Sequence, residues 1–81
     1  MRLERIPWTA ADDPREADLR RHLTSDGFDA LTWSDPPRRA YAPHRHDHDE
    51  CLWCVRGAIT FHVDGADYAL GPGDRLMLPR D

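Results

Sequence analysis

Three histidines occupy alternate positions in the middle of the chain, His44, His46 and His48, and Glu50 follows them. Side chains alternate between the two faces of a β-strand, so His44 and His46 point the same way if this stretch is extended. Two imidazoles and one carboxylate on one side form a ligand set that accepts Fe, Mn, Zn, Ni or Cu. The segment Asp47-His48-Asp49 has the composition of a turn, which leaves open whether Glu50 lies on that same face.

Two other interpretations of the histidine cluster stay open. A solvated polar loop has the same composition, and a pH-sensing cluster also uses histidine because its charge changes near neutral pH. We expect His48 to be an exposed turn residue rather than a ligand. We expect His22 and His62 to be ordinary surface or half-buried residues.

The two cysteines, Cys51 and Cys54, have the spacing of redox-active and zinc-binding Cys-x-x-Cys motifs. Redox motifs begin a helix and zinc ribbons need two such pairs, whereas the residues around these cysteines are typical of a strand. Positions i and i+3 of a strand face opposite sides, so the two thiols do not converge. We therefore expect both cysteines to be packing residues.

Missing residue types exclude several kinds of chemistry. The chain has no lysine, which excludes a Schiff-base lysine and a P-loop lysine. Its two serines, Ser25 and Ser34, lack the context of a nucleophile elbow. The net charge of −4 argues against a nucleic-acid partner. With no apolar run of about 18 residues and no apolar leader, we expect no membrane association and a cytoplasmic location.

Small soluble domains have the length and composition of this chain, with 81 residues, 32% charged and 40% apolar. An N-terminal helix is predicted between Asp13 as the N-cap and Gly27 as the C-terminal stop, with Pro14 in the first turn and Glu16 completing a capping box. After Gly27, strand-like runs alternate with turns, which indicates an all-β sandwich or barrel. These runs are FDALTWS, AYAPHRH, ECLWCVRG, AITFHVDGADYAL with a hairpin turn at Asp64-Gly65, and RLMLP after the turn GPGD.

The order of these residues resembles a known family. The spacing His44-x-His46-x-x-x-Glu50, with Gly57 seven residues later, resembles the first motif of the cupin superfamily. The stretch DGADYALGPGDRLMLP looks like the strands that lead into the second cupin motif, with Gly73-Asp74 and Pro79 in register. The resemblance covers about half the chain. It implies an all-β, cupin-like jelly-roll β-barrel, preceded here by a short helix, in which His44, His46 and Glu50 bind a divalent metal.

The resemblance also sets expectations for the ends of the chain. We expect residues 1–27 to form an N-terminal extension with the helix and residues 28–81 to form the barrel. In cupins a further histidine ligand follows the proline matched by Pro79, but the sequence ends at Asp81. We expect the chain to be a truncated form, or the fourth ligand to come from another chain, water or a substrate.

Two classes of function follow from the resemblance. One is a metalloenzyme that acts on a small organic molecule, such as a dioxygenase or an isomerase. The alternative is a non-catalytic, metal-dependent binding or sensor protein.

Unpaired strand edges and the aromatic side chain of Trp53, which is predicted to point away from the metal, favour a homodimer or larger assembly.

Overall fold

A computed structural model describes residues 1–32 and 48–80 of the chain. Within these ranges it is rich in β-structure, with one helix. No helix within these residues is long and apolar enough to cross a membrane. The elements are β1 (Glu4–Ile6), α1 (Glu16–Ser25), β2 (Glu50–Trp53), β3 (Ile59–Val63), β4 (Ala66–Leu70) and β5 (Arg75–Leu78).

The strands form two antiparallel sheets. One sheet has the order β1-β5-β2, and the other is the hairpin of β3 and β4. The β-rich architecture agrees with the predicted fold class. Closure of these strands into a jelly-roll barrel stays a prediction.

The predicted hairpin turn at Asp64-Gly65 is confirmed. Val63 pairs with Ala66, so the loop has only two residues. Both loop residues have positive φ, 50° at Asp64 and 79° at Gly65, as a type I′ turn requires. This turn matches the twist of the two strands, and its Asp-Gly sequence was the signal that predicted it.

The predicted turn between β4 and β5 is also confirmed. The Asp74 backbone N–H donates to the Gly71 carbonyl at 3.0 Å. Pro72 and Gly73 occupy the central positions, and Gly73 has φ of 86°. Proline followed by a glycine with positive φ is the pattern of a type II turn.

The helix prediction was right about the end of α1 and wrong about its beginning. Gly27 has φ of 89°, its N–H donates to the Thr24 carbonyl, and the Phe28 N–H donates to the Leu23 carbonyl. These two bonds form a Schellman motif. The N-cap is Arg15, in extended conformation and without a side-chain cap, rather than Asp13.

The later start of α1 has a local cause. The Trp8 indole Nε1 donates to the Asp12 carbonyl at 2.9 Å, which ties the segment before the helix to the N-terminal strand. The first helical hydrogen bonds are therefore accepted by the Arg15 carbonyl.

One predicted strand does not form where the structure describes it. Residues 28–32 of the run FDALTWS have no strand structure, while Arg20 of α1 donates to the Ala30 carbonyl and to the Thr32 hydroxyl. These bonds attach the segment to the helix instead of to a sheet. The rest of that run and the predicted strand AYAPHRH lie outside the described residues.

The sequence did not predict β1. Glu4, Arg5 and Ile6 pair with Met77, Leu76 and Arg75 of β5, which places β5 in the centre of the three-stranded sheet. The N-terminal segment thus contributes a strand to the sheet formed by the later part of the chain. The division into residues 1–27 and 28–81 stays a prediction, and this strand pairing crosses it.

The main hydrophobic cluster lies on one side of the three-stranded sheet, and Leu19 of α1 is buried apart from it. Leu76 and Leu70 are fully buried, and Cys54 packs with them at 8% exposure. Partly buried side chains of β2, β3 and β4, including Leu52 and Phe61, surround this cluster. Burying one leucine side chain contributes about 1.5–3 kcal/mol, so a core of this size depends strongly on each member.

Candidate metal centre

Glu50 lies on the core side of the three-stranded sheet. It is the first residue of β2 and pairs with Leu78, while Leu52, two residues later, pairs with the buried Leu76. Alternate residues of a strand share a face, so the Glu50 side chain extends on the same side as these leucines. Its side chain is 25% exposed. Glu50 is therefore a partly accessible carboxylate at the edge of the apolar core.

Two contacts fix the beginning of β2. The backbone N–H of Arg80, just beyond β5, donates to the Asp49 carboxylate at 2.8 Å. His48 is exposed, and its Nε2 lies 3.6 Å from the Glu50 Oε1. The exposed position of His48 agrees with the prediction of a turn residue.

The other two predicted ligands, His44 and His46, lie outside the described residues. Within residues 1–32 and 48–80, no group of three or more histidine, cysteine, aspartate or glutamate side chains is placed to hold a metal ion. The assignment of His44, His46 and Glu50 as metal ligands therefore stays a prediction. The structure describes Glu50 alone of this set, on the core side of the sheet.

The remaining histidines have local partners. His62 on β3 contacts the Asp67 carboxylate on β4, directly across the hairpin. His22 on α1 has its Nε2 3.2 Å from the Asp26 Oδ2. Both rings are more than half exposed, at 59% and 53%, which confirms the expectation of surface histidines.

The cysteines behave as packing residues. Both are free thiols, Cys54 buried and Cys51 half-buried. Burial raises the pKa of the Cys51 thiol, although the nearby Arg75 guanidinium opposes that shift. Burial, together with the Asp74 charge, raises the pKa of Cys54. Both side chains are therefore protonated at neutral pH, whereas a metal-binding or redox-active cysteine has to be a thiolate.

The opposite face of the sheet carries a second arrangement that sequence reasoning missed. Ile6, Arg75 and Trp53 are aligned across β1, β5 and β2 by the strand register. The Arg75 Cζ lies 4.6 Å from the centre of the Trp53 ring. The His22 ring of α1 meets the Trp53 ring edge to face at 5.3 Å. Strand alternation predicted that Trp53 lies on the face opposite to Glu50, as it does, but not that the helix lies over it.

A groove of about 320 Å³ lies between this face of the sheet, α1 and the segment after β1. The Trp8 ring forms one wall, and the Trp53 indole Nε1 donates to the Gly73 carbonyl at 2.7 Å. The side chains that matter for its chemistry are Ile6, Trp8, Asp18, His22, Trp53 and Arg75. We refer to this space below as the helix–sheet groove.

Asp74 connects the elements around the groove. Its Oδ1 accepts the Trp8 backbone N–H at 2.8 Å. Its Oδ2 accepts the Gly71 backbone N–H at 2.9 Å and the Arg5 Nη2 at 3.0 Å. The backbone N–H groups of Trp8 and Gly71, followed by the Arg5 charge, hold the pKa of Asp74 below its usual value. Asp74 is thus a structural carboxylate that attaches the N-terminal segment to the β4–β5 turn.

Comparison with known proteins gives one positive result. A family model described as a cupin domain matches residues 31–81. Neither the search of curated proteins nor the search of solved structures found a match. The matched region covers more than half of the chain and includes the histidine cluster, β2, the hairpin and β5. The chain belongs to the cupin domain family.

Proposed function

We propose that this protein binds a divalent metal through His44, His46 and Glu50 and uses it to bind or convert a small organic molecule. Membership of the cupin family supports the proposal, because two histidines and a glutamate stand at the positions of the first cupin motif. The metal is Fe, Mn, Zn, Ni or Cu, since this ligand set suits all five. When bound, such an ion supplies a Lewis acid with open coordination positions.

The placement of Glu50 is the observation that carries the proposal. Its side chain lies on the core side of β2 beside Leu52 and Leu78, and it remains partly accessible. A carboxylate there is held by the sheet and stands next to apolar side chains that suit a small organic ligand. The Asp49–Arg80 hydrogen bond anchors the strand end that carries it.

The reaction class is the second half of the proposal. A dioxygenase or isomerase and a non-catalytic sensor differ in whether the bound molecule is changed. Incubating the metal-loaded protein with sugars, flavonoids and thiols, followed by mass spectrometry, separates them. Product formation supports the enzyme, whereas binding without turnover supports the sensor.

A metal-content measurement tests the proposed ligands. Purified protein is expected to contain close to one first-row divalent ion per chain by elemental analysis. His46→Ala and Glu50→Gln should each lose most of this metal, because each removes one of three protein ligands. Mutation of a residue that only hydrogen-bonds to a metal ligand commonly lowers metal affinity by roughly 10–100-fold. Loss of a ligand itself should lower the affinity by at least as much.

His62→Ala is the matched control for this experiment. It also removes an imidazole next to a carboxylate, but on the exposed face of the β3–β4 hairpin. Its metal content should equal that of the unaltered protein. Full metal occupancy in His46→Ala would show that the ligand assignment is wrong.

A further inference from the structure

The helix–sheet groove lies on the side of the sheet opposite to Glu50. Residues that face the groove from the strands, Arg75 and Trp53, alternate with the core-facing Leu76 and Leu52. The sheet itself therefore separates the groove from Glu50. Its helical wall and Trp8 come from a part of the chain that the family match does not include.

Arg75 is the charged group that the groove leaves unneutralised. Its guanidinium stacks on the Trp53 ring and contacts the Cys51 thiol, which carries no charge. In the part of the chain that the structure describes, no carboxylate lies within ion-pair distance of it. A half-buried guanidinium normally has an anionic partner, because desolvating its charge is costly.

The other ionisable side chains of the groove already have partners. Asp18 is paired with Arg21 on the same helix, and the imidazole of His22 lies beside Asp26. Because the Asp18 charge is paired with Arg21, it offsets only weakly the attraction of Arg75 for an anion. Among the described residues, the groove thus presents the Arg75 guanidinium beside two tryptophan rings.

The tryptophans define the shape of the remaining space. Both indole N–H groups are used within the protein, Trp8 by the Asp12 carbonyl and Trp53 by the Gly73 carbonyl. The rings therefore offer apolar surface and no free donor to the groove. A volume of about 320 Å³ suits one small molecule with an apolar body.

We propose that the helix–sheet groove is a second binding site, for a small aromatic carboxylate. Its carboxylate pairs with the Arg75 guanidinium, and its ring lies between Trp8 and Trp53. An arginine forms two parallel hydrogen bonds with a carboxylate, which gives both orientation and affinity. The proposal does not depend on the metal, because Glu50, the predicted ligand that the structure describes, does not line the groove.

Nuclear magnetic resonance of the full chain tests this site. Sodium phenylacetate is titrated into ¹⁵N-labelled protein, and the indole N–H signals of Trp8 and Trp53 are followed. Both signals should shift in a saturable way at up to about 10 mM ligand, a range that covers weak binding. Phenylacetamide, which has the same shape without the charge, should bind about tenfold more weakly, since a charge-assisted hydrogen bond is lost.

Two variants complete the test. Arg75→Met keeps the apolar stem over Trp53 and removes the charge, so it should weaken phenylacetate binding about tenfold or more. Arg80→Met removes an exposed arginine that follows the same strand and should change nothing. If Arg75→Met does not fold, the comparison of phenylacetate with phenylacetamide on the unaltered protein still decides the matter.

Three results would overturn the proposal. One is the absence of shifts at Trp8 and Trp53 at the highest phenylacetate concentration. Another is equal binding of phenylacetate and phenylacetamide, because the carboxylate would then have no role. The third is a shift of the same signals on dilution of the protein alone, which would identify the groove as a contact between two copies of the chain.

Discussion

Gly73 is constrained both by its backbone conformation and by a side chain packed against it. Its N–H donates to the Cys54 carbonyl at 2.7 Å, and its own carbonyl accepts the Trp53 indole at 2.7 Å. A Cβ atom on Gly73 would lie 2.3 Å from the Trp8 Cγ. Its φ of 86° is also unfavourable for any residue with a side chain. Only glycine satisfies both requirements.

Gly73→Ala should lower the free energy of unfolding by about 3 kcal/mol, combining backbone strain with displacement of Trp8. Gly65→Ala is the matched control, because Gly65 also has positive φ, 79°, but open space around it. It should cost only about 1 kcal/mol. Urea unfolding followed by circular dichroism measures both. Equal losses would show that Trp8 moves aside without cost.

Of the two constraints on Gly73, the sequence predicts the turn conformation but not the contact with Trp8. The sequence Gly-Pro-Gly-Asp predicts the turn, because turn geometry depends on adjacent residues. Trp8, which covers Gly73, is far away in the chain, and nothing local connects the two. In the same way, strand alternation places Glu50 and Trp53 on opposite faces, but what lies against Trp53 depends on a helix that packs from elsewhere.

The three bonds to Asp74 join β1 and its following segment to the β4–β5 turn. Since the pKa of Asp74 is lowered in the folded protein, its charged form stabilises the fold. This contribution is fully present above the ordinary carboxylate pKa of about 4. It is lost as the pH falls through the lower, folded pKa.

Asp74→Asn should therefore lower the free energy of unfolding by about 2 kcal/mol at neutral pH, since charge-assisted hydrogen bonds are lost. It should also flatten the decline in stability between about pH 5 and pH 2. Asp64→Asn, in the exposed hairpin turn, is the control, because asparagine tolerates positive φ there. Urea unfolding at several pH values gives the result. An unchanged pH dependence in Asp74→Asn would contradict this role.

Elements made by neighbouring residues were predictable, and those made by distant ones were not. Asp64-Gly65 and Gly27 carry their own conformational signals, so the hairpin and the end of α1 followed from the sequence. β1 has only three residues and exists because β5 lies beside it. The N-cap of α1 is Arg15 rather than the predicted Asp13, and the hydrogen bond from Trp8 to the Asp12 carbonyl constrains the segment before it.

The prediction of a homodimer concerns the molecule as a whole. Within the described residues, β3 and β4 form a sheet of two strands, and each has one edge without a strand beside it. Such edges favour pairing with another chain. Because Trp53 is partly covered by His22 and Arg75, we expect strand pairing to contribute more than the aromatic surface.

Sedimentation equilibrium at micromolar concentration should give about twice the 9.4 kDa mass of the chain, or more. Thr60→Lys, an exposed position on β3, should shift the equilibrium towards monomer, because a charged side chain on an edge strand opposes pairing. A folded monomer at these concentrations would show that the strand edges are satisfied within one chain.

β1 and β5 are neighbours in the three-stranded sheet but lie near opposite ends of the sequence. This separation determines when they can pair during synthesis. Arg5 and Asp74, which bond to each other, are 69 positions apart. At roughly 5–20 residues added per second, β1 waits several seconds for β5 to be made. The β3–β4 hairpin needs only about microseconds once it emerges. The N-terminal strand is therefore made first but can pair only after β5 has been made, and until then Ile6 has no sheet to pack against.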